Sequence, residues 1–187
     1  MVRLTKILIV EDHLLTRLGL KMVLDQDPNL EVIGEAEDGV DCLNKIEQLN
    51  PDVVLLDIGL PLIDGIECAY RLNKKQSKSR IIFRSSHEEL SVIFPAFATG
   101  ADGFCSKNNP DSILIKAINT VAAGYPWLDP QIAVKILAHC NKLQKTTPIF
   151  TAADLDLLEN IANNSESNPS VDLRKLMQKV CNLSTYY

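Results

Sequence analysis

Residues 51–67 read PDVVLLDIGLPLIDGIE. Val53-Val54-Leu55-Leu56 is a short, continuous apolar run closed by Pro51 and Asp52 on one side and Asp57 on the other. Its length suits a strand covered on both faces better than an amphipathic helix. A loop with Gly59 and Pro61 follows, and from Ile66 to Leu72 apolar residues recur at helical spacing. Asp57 therefore sits at the seam where a buried strand gives way to a loop and a helix.

The same alternation extends in both directions. Apolar runs occur at 6–10 (KILIV), 30–34 (LEVIG), 81–83 (IIF) and 103–105 (GFC). Between them, residues 14–24, 40–49, 93–98 and 113–123 carry apolar side chains three and four apart. Strands alternating with helices of this length predict an α/β fold: a doubly wound, five-stranded parallel sheet covered on both faces, spanning residues 1–125. In such a sheet functional groups collect at the carboxyl ends of the strands.

The bulk numbers fit a single such domain with a small appendage. The chain has 187 residues, 46% hydrophobic and 23% charged, with net charge −5. That charge weighs against a dedicated nucleic-acid binder. No apolar run approaches the roughly 18 residues of a membrane span. The start, MVRLTKILIVEDH, lacks a cleavage site and reads as a first strand, so a cytoplasmic protein is expected. Cys42, Cys68, Cys105, Cys140 and Cys181 are widely spaced, without a CxxC pair, and read as free buried thiols.

Strand one ends in Glu11-Asp12, strand three in Asp57, strand four in Ser85-Ser86 and strand five in Ser106-Lys107. A parallel sheet brings these four ends to one edge. Three carboxylates, a hydroxyl and an ammonium then converge, and a divalent cation is the usual answer to carboxylate repulsion. Mg²⁺ suits such an oxygen-rich set. An Asp beside Mg²⁺ can attack a phosphoryl group whose charge the metal, the Lys and the hydroxyl would neutralise.

The four stretches IVEDH (9–13), PDVVLLDIGLPLIDGIE (51–67), IIFRSSH (81–87) and GADGFCSKN (100–108) occur in order and at family separations. Over about residues 5–125 the chain resembles the receiver domain of bacterial two-component response regulators, NarL/FixJ class. The resemblance implies a CheY-like fold with Asp57 as phosphoacceptor. It implies Mg²⁺ held by Asp12, Asp57 and the Gly59 carbonyl, with Glu11 acting through water. Ser85 would be the switch hydroxyl, Lys107 its charge partner, and Phe104 the aromatic that turns inward on activation. A sensor histidine kinase is the implied phosphoryl donor.

Two positions depart from the family pattern. Arg84 places a charge before Ser85, where a small or apolar residue is usual, so strand four or its neighbours are expected to be altered. Pro95 falls inside the fourth helix, which is expected to be shortened, with Pro95 in its first turn, or else kinked. His87, two residues after Ser85, reads as a loop histidine.

Beyond residue 125 the texture changes. Trp127-Leu128-Asp129-Pro130 is expected to open a helix over 131–143, followed by a linker at 144–148. Thr151, with Asp154 three residues on, predicts a capped helix with Leu155, Leu158, Ile161 and Ala162 on one face. Residues 163–169 read as a loop, and Ser170 as the cap of a last helix over 171–183. WLDPQIA and FTAADLDLLENIA resemble the entry to a LuxR-type output domain, but after DLRKLMQKVCNLST no residues remain for a recognition helix. Asn182–Thr185 reads as a turn. Residues 126–149 are assigned as helix and linker, and 150–187 as a truncated or degenerate helix-turn-helix tail. From Thr151 onward Asp154, Asp156, Glu159, Glu166 and Asp172 outnumber Arg174, Lys175 and Lys179, which leaves no net attraction to phosphates.

The expectation is a phosphorylation-controlled switch, not a turnover enzyme, acting through its own tail, a protein partner or a homodimer. The alternative is a LuxR-type transcription regulator that still binds DNA. A small phosphatase or kinase-like enzyme is disfavoured, because no further acid–base group is evident.

Overall fold

Every predicted strand forms in the computed structural model, which describes residues 3–144, 149–163 and 171–184. The chain runs β1 (Thr5–Val10), α1 (Leu14–Leu24), β2 (Leu30–Ala36), α2 (Gly39–Leu49), β3 (Val53–Asp57), α3 (Gly65–Lys74) and β4 (Arg80–Ser85). It continues through α4 (Leu90–Ala98), β5 (Gly103–Ser106), α5 (Asp111–Ala122), β6 (Trp127–Leu128), α6 (Pro130–Gln144), α7 (Ala152–Ala162) and α8 (Val171–Ser184). The sheet has the order β2-β1-β3-β4-β5-β6, and all its pairings are parallel.

Alternation along the strands divides the core into two layers. Ile7, Ile9, Val53, Leu55, Ile82 and Cys105 pack with α1 and α5. Leu8, Val10, Val54, Leu56, Phe83 and Phe104 pack with α2, α3 and α4. β3 is buried along its whole length, the reason VVLL reads as a continuous apolar run.

The sheet has one strand more than expected. Trp127 and Leu128 do not open a helix but pair with Gly103 and Phe104. Their side chains enter opposite layers, Trp127 with α1 and α5, Leu128 with α4. An extended backbone buries both, whereas the exposed first turn of a helix would not. α6 starts at Pro130, where a helix has no use for the missing N–H.

α4 is short, as expected, but Pro95 is its sixth residue rather than part of its first turn. The bond its N–H would have made goes to the Ser91 carbonyl, and both residues face solvent, so water can satisfy that carbonyl. β4 carries Arg84 without a break in register: Arg84 lies between Asp57 and Cys105, so the strand is not altered as expected.

The C-terminal helices join the larger core layer. Leu173, Leu176, Met177 and Val180 of α8 are buried with Phe94 and Phe97 of α4. Burial of each such side chain contributes about 2 kcal/mol. The Cys181 thiol donates to the Phe94 carbonyl at 3.2 Å, and the Arg174 guanidinium meets Asp102 at 2.5 Å. Lys179 pairs with Asp154 of α7 at 2.7 Å. Thr151 and Asp154 form the predicted capping box. Gln144 at the end of α6 accepts from the Ile149 and Phe150 N–H groups and donates to the Phe150 carbonyl.

The expected turn at Asn182 is absent, because α8 continues through Ser184. Packing on α4 holds Val180 and Cys181 and lets the last turn propagate, which an isolated short helix could not do. The cap assigned to Ser170, the loop over 164–169 and most of the linker lie outside the described residues. All five cysteines are buried, as expected.

Candidate functional site

The carboxyl ends of β1, β3, β4 and β5 bring the expected residues to one edge. Glu11 leaves β1 with its N–H bonded to the Ala36 carbonyl at 3.0 Å, and its side chain is only 3% exposed. Asp57 ends β3, itself only 7% exposed. Asp12 is exposed. The Lys107 ammonium joins the two buried acids, 2.7 Å from Asp57 Oδ2 and 2.8 Å from Glu11 Oε2. Burial alone would lower its pKa, but bonds and charge from Asp57 and Glu11 outweigh burial and raise it above the ordinary lysine value. Lys107 is therefore a firmly charged partner.

The loop after β3 is shaped around Asp57. Gly59 N–H approaches Asp57 Oδ1 at 3.4 Å, and Gly65 N–H donates to the Ile58 carbonyl at 2.9 Å. A Cβ at Gly65 would overlap the Asp57 carbonyl oxygen, so only glycine lets α3 begin that close to the end of β3. Asp64 caps α3 by accepting from Glu67 N–H at 2.8 Å.

Ser85 ends β4 as a buried hydroxyl that accepts from His87 N–H at 3.0 Å. The Lys107 N–H donates to the Ser85 carbonyl at 2.9 Å, so the ends of β4 and β5 are held together. The His87 ring is exposed and faces Glu89 at 3.7 Å. Phe104 is fully buried, its ring 6.4 Å from that of Phe97 on α4. One guanidinium nitrogen of Arg84, Nη1, is buried without a hydrogen-bond partner.

Glu11 and Asp57 share one ammonium, and Asp12 follows Glu11 directly in the chain. Three carboxylates against one cation leave a deficit of positive charge, and the donors of these three residues are hard oxygens. That donor set fits a divalent cation such as Mg²⁺. Ligand atoms of Glu11, Asp12 and His13 lie within 4.8 Å of one another; Asp57 stands outside that group and is linked to it through Lys107.

Some residues of the site are not evident from sequence. Arg17, on α1, donates to the carbonyls of Glu11 and Asp12 and to Glu35 Oε2 at 3.2 Å, fixing the loop that presents both acids. Glu88 and Asp129 bracket Ser106: its hydroxyl donates to Glu88 and its N–H to Asp129. Lys135 and the Ser106 hydroxyl hold the Glu88 carboxyl below its usual pKa, while burial pushes that of Asp129 up. A lone Arg in a helix and two scattered acids carry no signal until folding supplies their partners.

Residues 7–119 match the family described as the response regulator receiver domain. The chain is 31% identical over 138 residues to the transcriptional regulatory protein DegU of Brevibacillus brevis, a match that takes in 74% of this chain and 58% of that protein. It is 29% identical over 191 residues to the nitrate/nitrite response regulator NarL of Escherichia coli K12, covering 93% of this chain and 88% of the relative. Among solved structures, a LuxR-family two-component response regulator from Aurantimonas sp. SI85-9A1 superimposes with a TM-score of 0.70 at 28% identity, covering 73% of this chain and 97% of the other. No helix among the described residues is long and apolar enough to cross a membrane. With its matched domain, CheY-like sheet and LuxR/NarL relatives, the chain belongs to the response regulator receiver family as a two-component response regulator.

Proposed function

We propose that Asp57 accepts a phosphoryl group from a sensor histidine kinase, and that the resulting charge switches the contacts of the receiver and its C-terminal helices. The observation that carries this reading is the Lys107 ammonium spanning Asp57 and Glu11 at 2.7 and 2.8 Å at the buried edge of the sheet. Oδ2 of Asp57 is held by that ammonium, which leaves Oδ1 to attack. A P–O bond forms at Asp57 as the bond between phosphorus and the donor breaks, and the donor atom keeps the electron pair.

Lys107 balances the charge that builds on the phosphoryl oxygens, and Ser85 supplies a hydroxyl from the neighbouring strand. Asp12, Asp57 and the Gly59 carbonyl would hold Mg²⁺, with Glu11 acting through water; bound there, the ion would neutralise phosphoryl charge. Phe104, already packed inward against α4, is the aromatic that follows Ser85. Leu14, Leu15, Leu18 and Met22 line an exposed apolar stripe on α1 beside the acids, which suits docking of a kinase or of a second copy. The protein acts as a switch, not a turnover enzyme, and works in the cytoplasm. Residues 1–125, with β6 completing the edge of their sheet, form the receiver; the rest of 126–149 is the joint and 150–187 the output tail.

Incubation with acetyl phosphate and Mg²⁺, read by intact mass, adds one phosphoryl group, and Asp57→Asn adds none. Phosphorylation of the variant at the native rate sinks the reading. We favour output through protein contacts rather than sequence-specific DNA binding, since acids outnumber cations in the tail and α8 is committed to α4. The match to NarL along 93% of the chain favours the second reading, a DNA-binding regulator. Salt-dependent retardation of a duplex promoter fragment would establish that instead.

A further inference from the structure

Two carboxylates outside the acid cluster fasten the phosphoacceptor edge of the sheet to the C-terminal helices. Ser106, directly before Lys107, is held from both sides. Its N–H donates to Asp129 Oδ2 at 2.5 Å and its hydroxyl to Glu88 Oε1 at 2.6 Å. Asp129 is fully buried between β6 and α6. It also accepts from the Trp127 indole N–H at 2.7 Å and from the Asn109 amide at 2.5 Å, while its own carbonyl accepts from Ala133 N–H in the first turn of α6. Glu88 lies three residues after Ser85, in the loop before α4. Its Oε2 meets Lys135 of α6 at 2.7 Å, and Lys135 reaches the Glu88 carbonyl at 3.2 Å.

A continuous chain of bonds thus runs from Asp57 through Lys107 to Ser106, and from Ser106 through Glu88 and Asp129 to α6. From there α6 packs on α7, and α7 on α8. A buried carboxylate is costly once it loses a donor, so Ser106 and the start of α6 are constrained to move together. The Glu88–Lys135 pair is different. Lys135 is 43% exposed, and an ion pair so open to water is weak enough to break and re-form. A phosphoryl group adds a charge of about −1.5 to −2 beside Lys107. Lys107 now divides itself between Glu11 and Asp57, and its neighbour Ser106 feels any change in that division.

We propose that Glu88 and Asp129 are positioning residues that carry the state of the Asp57 site to α6, with the Glu88–Lys135 pair as the bond that opens or closes. The link rests on the reading of Asp57 as the phosphoacceptor. The pair closed and the pair open are the two arrangements through which the link would couple the site to α6.

The test is hydrogen exchange on the full chain, with and without acetyl phosphate and Mg²⁺, beside intact mass on the same samples. In the native chain, gain of the phosphoryl group changes exchange in α6 by roughly threefold or more. Glu88→Gln keeps an acceptor for Ser106, and Lys135→Met keeps Glu88 itself. Both variants gain the phosphoryl group yet lose the α6 response, and Lys135→Arg restores it. A full α6 response in either phosphorylated variant overturns the link, and so does a native chain that gains the group with α6 unchanged. A native chain with no mass gain removes the phosphoacceptor reading and the link together, and the mass measurement tells that failure from the others.

Discussion

The edge of the sheet around Asp57 and the face of α4 under α8 are built on opposite principles. At the first, Glu11 and Asp57 share one ammonium with Asp12 next to Glu11, and the arrangement gains its meaning from an excess of negative charge. At the second, Leu173, Leu176, Met177 and Val180 close over Phe94 and Phe97, and little is left unsatisfied. A charged site stays poised for a further ligand because its components repel one another. An apolar joint is spent once it forms, and it holds until something else covers the same surface. The charged edge and the apolar joint are thus held by different forces, and they are joined through the bonds of Ser106, Glu88 and Asp129 to α6.

That contrast can be broken from either end. The largest effect is expected at the charged edge. Lys107→Met removes the one cation shared by Asp57 and Glu11 and should slow phosphorylation by acetyl phosphate on the order of 100-fold, while α8 stays protected from hydrogen exchange. If α8 loosens as much as the reaction slows, the two regions are not separate.

At the apolar joint, Leu176→Ala should lower unfolding stability by about 3 kcal/mol in denaturant titration and raise exchange in α8. The variant should still take up a phosphoryl group at Asp57. Loss of uptake would mean that the site depends on the joint.

The smallest effect is in pH. Burial would raise the pKa of Asp154, but Lys179 and the Thr151 cap outweigh burial and hold it below its ordinary 3.8. A carboxyl with a depressed pKa stabilises the fold above its unfolded value, and that contribution is lost as pH falls through the folded one. Acid titration below about pH 4 should therefore loosen α7 from α8, and Lys179→Met should flatten that part of the profile. An unchanged profile would show that the pair holds nothing.

Sequence reveals these regions unequally, for physical reasons. Buried parallel strands are continuous apolar runs, so the first five strands are plain, whereas Trp127-Leu128 is too short to count as a run. Glu11, Asp12, Asp57, Ser85 and Lys107 are legible because each lies where a strand stops. Arg17 is not, since its partners are backbone carbonyls that only the fold brings within reach. Glu88 and Asp129 are hidden for a related reason: Ser106 lies 18 and 23 positions away. The stripe on α8 announces that it needs a partner but cannot name α4. Pro95 argues against a helix in isolation, yet α4 tolerates it because the orphaned carbonyl faces water.

The two-residue strand β6 has a practical consequence for dissecting the chain. Trp127 and Leu128 complete the backbone pairing of Gly103 and Phe104 on the outer side of β5. A fragment ending at residue 125 would keep every group of the charged site and yet leave that outer side bare. Unpaired N–H and C=O groups along an open sheet edge are a template for strand addition, and such a fragment would be prone to self-association. A cut placed beyond Leu128 keeps the edge covered.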